Sequence, residues 1–236
     1  FYTGMAEGNI NTDRILAMLN VKDDVLMIEE KGIYTIEKFL VARRLMYWQV
    51  YLHKTSLVAE QVLVRVLIRA KELTSNGVAL EASKPLSFFL KKKNAEGVFD
   101  TQALDIFSAL DDYDIISAMK TWCDHEDYVL SRLSQIIIYR NLPRIKIKKK
   151  PFAKDFIEAE RLRAKKMFKL SDHEVDFFVF TGTISNQAYT LKKEAINILT
   201  RKGKVIDVVA ASDQLSLKAL SKVITKNYIC YPKHLN

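Results

Sequence analysis

Residues 39–54 carry the densest set of side chains that could do chemistry. The segment FLVARRLMYWQVYLHK holds two arginines, two tyrosines, a tryptophan, a histidine and a lysine, with no glycine, proline or acid. At about 100° per residue, a helix would carry one polar stripe and one apolar stripe. The polar stripe holds Arg43, Tyr47, Tyr51 and Lys54, and the apolar stripe holds Leu45, Trp48 and Leu52.

The polar stripe suits a phosphorylated ligand. An arginine presents a planar fork of donors to phosphate oxygens, a lysine adds a charge, and a tyrosine can pack against a sugar or base. The alternative interpretation is an ordinary amphipathic helix with solvated cations and a core of aromatic residues.

A long helix is expected to position this segment. Thr35 is its predicted N-cap, and Glu37 follows in the first turn, where a carboxylate suits the helix dipole. The apolar pattern continues to Ala70, and roughly forty residues is long for a helix of a globular protein. We therefore expect a break near residues 55–56, with His53 and Lys54 at the bend.

Helical patterns dominate residues 1–143. A short capped helix at 13–19 and a hairpin of 25–28 with 33–34 come first, and further helices are predicted at 86–90, 101–110, 114–122 and 126–139. Asp111 and Asp112 are interpreted as helix caps, because no histidine or second carboxylate pair lies at ligand spacing. Pro143 marks the end of this helical region.

The pattern changes from residue 144. Ile145 and Ile147 alternate with lysines, which predicts a strand with one basic face. The next predicted element is a helix at 155–168. The later predicted elements are strands at 177–180, 195–199, 205–209 and 228–231, a turn at 201–204 and a short helix at 212–220. The sequence thus predicts a mainly α region, 1–143, and a small α+β domain with a mostly antiparallel sheet, 144–236. The basic segment 144–150 could bind phosphates or could be an edge strand protected by lysines.

Composition favours an anionic partner. Lysine and arginine number 37 against 28 acids, a net charge of +9, which suits nucleotides, nucleic acid or an acidic membrane surface. The two cysteines lie far apart and are typical of the cytoplasm. No apolar run approaches the roughly 18–20 residues of a membrane span, so no spanning helix is expected. Nucleotide or nucleic acid, and no membrane, is the expected partner. The histidines, at 53, 125, 173 and 234, assemble no metal site.

Three blocks in this order resemble a known family: residues 2–4 (YTG) with 13–15 (DRI), then 43–54, then 139–142 (YRNL). They resemble the HD superfamily of metal-dependent phosphohydrolases, above all the branch of the SAM- and HD-domain deoxynucleoside triphosphate triphosphohydrolase and its bacterial relatives. The resemblance covers residues 1–145 and implies an HD-type helical bundle, a nucleotide substrate and a homo-oligomer.

The resemblance also implies roles for individual residues. Arg43 would hold substrate phosphate, Tyr51 would lie beside the sugar, and His53 and Lys54 would form a basic pair at the end of the helix. Tyr47 would also contact substrate, and it stands where the triphosphohydrolase has a histidine. A second set would meet an effector nucleotide between subunits: Arg140 and Arg144, with Pro143 replacing the usual aromatic residue.

The family's His…His-Asp…Asp metal set is absent from these residues. The resemblance places the divalent metal ion on residues outside this stretch, the last of them shortly before Phe1. We therefore expect the C-terminal portion of a nucleotide phosphohydrolase, inactive by itself because no metal activates a water. The alternative is a non-catalytic nucleotide- or nucleic-acid-binding protein that uses the basic helix and the 144–150 strand.

Overall fold

The computed structural model describes residues 9–92, 100–186, 195–212 and 223–233. The helices are α1 Thr12–Ala17, α2 Ile33–Met46, α3 Lys54–Ser75, α4 Lys84–Lys91, α5 Thr101–Ser108, α6 Asp112–Trp122, α7 Tyr128–Ile138, α8 Lys154–Phe168 and α9 Val208–Ala211. The strands are β1 Leu19–Lys22, β2 Val25–Glu29, β3 Arg144–Lys148, β4 Phe180–Asn186, β5 Asn197–Leu199, β6 Val205–Asp207 and β7 Ile224–Tyr231. This confirms the predicted fold class, a helical region followed by a small α+β part with mostly antiparallel sheets.

The described residues group into two compact units. The first falls within Phe1–His53, Lys148–Lys150 and Thr183–Asn227, and the second within Lys54–Ile147, Pro151–Gly182 and Tyr228–Asn236. Neither unit ends at residue 143. The assignment of domains 1–143 and 144–236 stays a prediction.

The first unit is built on a sheet in the order β1-β2-β5-β6. β2 pairs antiparallel with β1 and parallel with β5, and β5 pairs antiparallel with β6. Ile36 and Leu40 of α2 are buried with residues of this sheet, because their four-residue spacing places them on one face of the helix. The buried cluster consists of Ile28, Ile36, Leu40, Ile198 and Val208. Residues from early and late in the sequence thus share one core.

The start of α2 corrects two predictions. Ile33 and Tyr34 begin the helix and are not a return strand, because a 3₁₀ turn at Glu30–Gly32 leads directly into α2. Gly32 therefore occupies the N-cap position predicted for Thr35, and no side chain caps the helix. The Thr35 hydroxyl instead accepts a hydrogen bond from Arg14 Nε at 3.2 Å.

The C-terminal part corrects two strand predictions. The strand predicted at 177–180 starts only at Phe180, because Glu174–Phe177 form a 3₁₀ turn. The whole run from Phe177 to Phe180 is buried, and an apolar run that does not alternate cannot be assigned by period. The strand predicted at 205–209 ends at Asp207, whose side chain caps α9 by accepting from the Val209 amide at 2.8 Å. The helix predicted at 212–220 lies outside the described residues from 213 onward.

Local signals placed other elements well. Asp111 caps α6 by accepting from the amides of Tyr113 and Asp114, as interpreted from the sequence. β3 alternates as predicted, with Ile145 and Ile147 half-buried between exposed basic residues. Over the ranges that the structure describes, every helix is too short or too polar to cross a bilayer.

In the second unit, α3 packs on α7, and a partly buried ion pair joins the two helices. The Arg69 guanidinium donates to both Asp127 oxygens, at 3.1 and 2.6 Å, and Asp127 also caps α7. Burial raises the pKa of Asp127, but hydrogen bonds from Arg69 and the Leu130 amide outweigh that effect and leave the pKa below its ordinary value. The ionised form of Asp127 is therefore the one that the fold stabilises.

Replacing Asp127 with asparagine tests this ion pair. Asparagine retains the helix cap, so we expect Asp127→Asn to lower the free energy of unfolding by about 2 kcal/mol at neutral pH, through loss of the charged hydrogen bonds. A carboxylate with a depressed pKa contributes stability above its unfolded pKa and loses it as pH falls through the folded pKa. The difference in free energy of unfolding between wild type and Asp127→Asn should therefore shrink as the pH falls below about 3.9.

Urea unfolding at neutral and acidic pH measures both effects. Asp105→Asn, at an exposed position of α5, is the matched control and should change stability little. A difference in free energy of unfolding between wild type and Asp127→Asn that stays constant down to acidic pH would contradict the ion-pair account.

Candidate functional site

Residues 39–54 do not form one continuous α-helix. α2 ends at Met46, a π-helical turn spans Tyr47–Tyr51, and α3 begins at Lys54. The Leu52 amide donates to the Tyr47 carbonyl, five residues back, at 2.7 Å. The break thus occurs a few residues before 55–56, and His53 and Lys54 lie at it as expected. Turns of this kind are uncommon and are frequently found at functional sites.

The π-turn brings one cation and two phenols into a row, here called the Arg43 row. The Arg43 guanidinium carbon lies 5.9 Å from the centre of the Tyr47 ring. The Tyr47 and Tyr51 ring centres are 5.2 Å apart, with the ring planes tilted by 45°. Tyr47 is 37% exposed and Tyr51 is 62% exposed, so the row reaches solvent. Three members of the predicted polar stripe are therefore neighbours in the structure.

α2 positions Arg43 through its buried face. Ile36 and Leu40 are fixed in the core of the first unit, and the buried Glu37 carboxylate accepts a hydrogen bond from the Ser212 hydroxyl. Arg43 lies three residues after Leu40, half-buried in the last turn of α2.

Trp48 lies in the π-turn and meets a cation that the sequence did not indicate. Lys226 Nζ lies 3.8 Å from the centre of the indole ring, close enough for a cation–π interaction. Lys226 is on β7, far from Trp48 in sequence, so no local pattern could have paired the two. It adds a second positive charge within the first unit, beside the segment that carries the Arg43 row.

The remaining predicted residues lie elsewhere. His53 is exposed, and its amide donates to the Val50 carbonyl at 3.2 Å. Lys54 is exposed and begins α3, so it belongs to the second unit. Arg140 and Arg144 are exposed, the first just beyond α7 and the second at the start of β3. Arg140 adopts a left-handed backbone with φ of 56°, which is uncommon for a residue with a side chain.

The described residues do not fit a divalent metal ion. Among residues 9–92, 100–186, 195–212 and 223–233, no group of three or more histidine, cysteine or acidic side chains could hold one. His125 Nδ1 accepts from the Asp127 amide at 2.9 Å, and His173 Nε2 lies 3.5 Å from a Glu72 oxygen. His234 lies outside the described residues.

Comparison with known proteins gives one family match. Residues 10–84 match the model of the HD associated region, a stretch that runs from before α1 into α4 and includes the Arg43 row and Lys54. The uncharacterized protein YwfO of Bacillus subtilis is 26% identical over 248 residues, covering 100% of this chain and 53% of that protein. The uncharacterized protein MJ1154 of Methanocaldococcus jannaschii is 28% identical over 60% of this chain and 26% of its own length.

Two solved structures are similar over nearly the whole chain. A phosphohydrolase of Bacteroides thetaiotaomicron is 43% identical with a TM-score of 0.88, covering 99% of this chain and 58% of that one. A hypothetical protein of Aquifex aeolicus shares the fold, with a TM-score of 0.62 at 19% identity, over 98% of this chain and 50% of its own. The chain thus spans about half the length of YwfO and somewhat more than half of the phosphohydrolase. The matches support an HD-type family.

Proposed function

We propose that this chain supplies the nucleotide-binding part of an HD-type phosphohydrolase acting on deoxynucleoside triphosphates. The observation that carries the proposal is the Arg43 row, a cation and two phenols held together at a π-turn and open to solvent. The row lies inside the stretch that matches the HD associated region. The similarity to a phosphohydrolase adds support for the reaction class.

Each member of the row has a distinct task in this proposal. Arg43 binds phosphate oxygens through its planar guanidinium and neutralises the charge that builds on them. Tyr51, the more exposed ring, packs beside the sugar, and Tyr47 lies between the two. For His53 and Lys54, a contact with the polyphosphate is proposed from the family resemblance alone.

Following the family resemblance, the proposal assigns the divalent metal ion to residues outside this 236-residue stretch; the side chains that the structure describes do not fit one. During turnover, the proposed role of this chain is to bind the nucleotide, orient its phosphates and neutralise their charge. This role is compatible with release of either triphosphate or phosphate as the product. From the family resemblance we propose that triphosphate is released.

Truncating Tyr51 tests the binding role directly. Loss of a ring packed on the sugar should weaken binding of a deoxynucleoside triphosphate to the full-length protein about tenfold, the order of magnitude found for stacking contacts. Tyr34→Ala is the matched control, because Tyr34 is 64% exposed against 62% for Tyr51 and lies at the start of α2, outside the Arg43 row. Equilibrium dialysis with labelled nucleotide measures both variants. Equal affinities for Tyr51→Ala and Tyr34→Ala would overturn the proposed role of Tyr51.

We further propose that Arg140 and Arg144 bind an effector nucleotide between subunits of a homo-oligomer. The support is the family resemblance at these two positions. Arg140 has a left-handed backbone just after α7, where glycine is usual, and that backbone costs a residue with a side chain roughly 1–2 kcal/mol.

Arg140→Gly should therefore stabilise the fold and abolish the effector response together. We expect a gain of about 0.5–1 kcal/mol, the strain relieved less the backbone entropy of glycine. Lys169→Gly is the matched control, since Lys169 ends α8 with φ of 55°. It should stabilise similarly and leave nucleotide activation unchanged. Thermal unfolding and activation assays measure the two effects, and activation retained in Arg140→Gly would remove Arg140 from the effector site.

A second candidate function is favoured by β3. Arg144, Lys146 and Lys148 all point to its exposed side, which could follow a nucleic-acid backbone. Lys146 Nζ, however, lies 4.7 Å from the Phe156 ring centre and 5.6 Å from that of Tyr231, so part of its charge already interacts with aromatic rings. For a nucleic-acid-binding protein, the logarithm of the binding constant for single strands would fall with the logarithm of salt concentration, with a slope of about −0.7 per neutralised phosphate. Such a protein would release no product.

A further inference from the structure

The second unit contains a pocket that the nucleotide proposal does not use. Its volume is about 310 Å³, and it lies among α3, α7, α8 and the segments that follow α7 and β7. Apolar side chains form most of its lining: Val62, Leu133, Ile136, Leu142, Pro143, Met167, Phe168, Phe177, Phe178, Phe180 and Pro232. The polar side chains in the lining are Arg132, Asn141 and Lys233.

The apolar walls are held firmly in place. Val62, Leu133, Phe177 and Phe178 are buried, and the rings of Phe168 and Phe178 pack with their centres 5.5 Å apart. A pocket whose walls are fixed by the core loses little entropy when a ligand enters. Pockets with mostly apolar walls and a few polar groups are the usual form of small-molecule sites.

The charged members of the lining have one sign. Arg132 is half-buried and Lys233 is exposed, and no carboxylate belongs to the lining. The Arg132 guanidinium reaches Gln135 Oε1 at 3.4 Å, a long contact that leaves other donors of its fork for a ligand. The lining therefore complements an anionic group attached to an apolar body.

The volume limits the size of that body. Since a water-sized group occupies about 30 Å³, the pocket holds roughly ten non-hydrogen atoms. A nucleoside triphosphate is several times larger, and its sugar hydroxyls and base edges would be buried against phenylalanines without partners, which is costly. A saturated chain of about ten atoms that ends in a carboxylate matches both the volume of the pocket and the positive charge of its lining.

We propose that this pocket binds a medium-chain fatty acid, with its carboxylate at Arg132 and Lys233 and its chain among the phenylalanines. The inference does not depend on the nucleotide role of the Arg43 row. It assigns a ligand class to side chains that the proposed function leaves without a task.

Calorimetric titration of the full-length protein with decanoate tests the proposal. We expect saturable binding of one decanoate per chain, weakened at least tenfold in Arg132→Gln and in Lys233→Gln. Lys166→Gln is the matched control, because Lys166 is an exposed lysine of α8 outside the lining, and it should bind as wild type does. Decanol, which has the same chain without the charge, should bind at least tenfold more weakly than decanoate.

A second variant separates loss of the site from loss of folding. Ile136 is half-buried in the lining, and Ile136→Trp should fill the pocket and abolish decanoate binding while the protein still unfolds cooperatively. Decanoate that binds Ile136→Trp as tightly as wild type would overturn the proposal. Absent binding to the wild-type protein would do so too, as would equal affinities for decanoate and decanol.

Discussion

Replacing Arg43 with alanine should lower kcat/KM for nucleotide hydrolysis by the full-length protein about 100- to 1000-fold. The guanidinium is the one cation of the Arg43 row, and loss of a single donor to developing charge typically costs about that factor. Arg43→Lys should recover only part of the loss, because an ammonium retains the charge without the planar fork. Steady-state kinetics with one deoxynucleoside triphosphate measure both variants.

The matched control for Arg43 is another cation of the same helix. Lys38 is exposed on α2, outside the Arg43 row, and Lys38→Ala should leave kcat/KM within about twofold, as for most surface changes. If Arg43→Ala and Lys38→Ala have the same kinetics, Arg43 does not hold substrate phosphate.

The 236-residue chain by itself should bind nucleotide and hydrolyse none of it. In the proposed account this chain binds the phosphates and the metal ligands lie outside it, so an added divalent ion has no site among the described side chains at which to activate a water. We expect turnover at least about a thousandfold below that of the full-length protein, with or without added Mn²⁺. Chromatography of the reaction products measures hydrolysis, and equilibrium dialysis measures nucleotide binding by the same protein.

The control for this prediction is the full-length protein treated in the same way. Turnover by the 236-residue chain that matches the full-length rate would show that the metal centre lies within these residues. In that case the assignment of the metal ion to outside residues would be wrong.

Local signals let the sequence predict many elements of this fold. Asp111 could be recognised as a cap because its carboxylate needs only the amides of the next few residues. β3 could be recognised because Ile145 and Ile147 alternate with basic residues. Both signals depend on a few neighbouring residues.

Long-range pairing explains what the sequence did not reveal. The parallel pairing of β2 with β5 joins Ile28 to Ile198, and no spacing within either strand indicates its partner. The same holds for Trp48 and Lys226, which meet only through the folded chain. The core of the first unit therefore combines residues that the sequence had divided between two domains.

The sequence predicted part of the geometry of the Arg43 row. The spacing of Arg43, Tyr47 and Tyr51 placed them on one stripe, and the structure brings their side chains together. The break in the helix was placed slightly too late, because no glycine or proline marks it and the π-turn depends on a hydrogen bond between Leu52 and Tyr47. The proposed roles of these side chains stay predictions until their variants are measured.

The most direct test of the central claim is one assay on the full-length protein. Elemental analysis gives its metal content, and chromatography identifies the products released from each deoxynucleoside triphosphate. We predict a bound divalent metal and released triphosphate, with turnover lost on chelation. A metal-free protein that releases nothing, yet binds nucleotide or oligonucleotide, would contradict the hydrolase account and favour the binding protein.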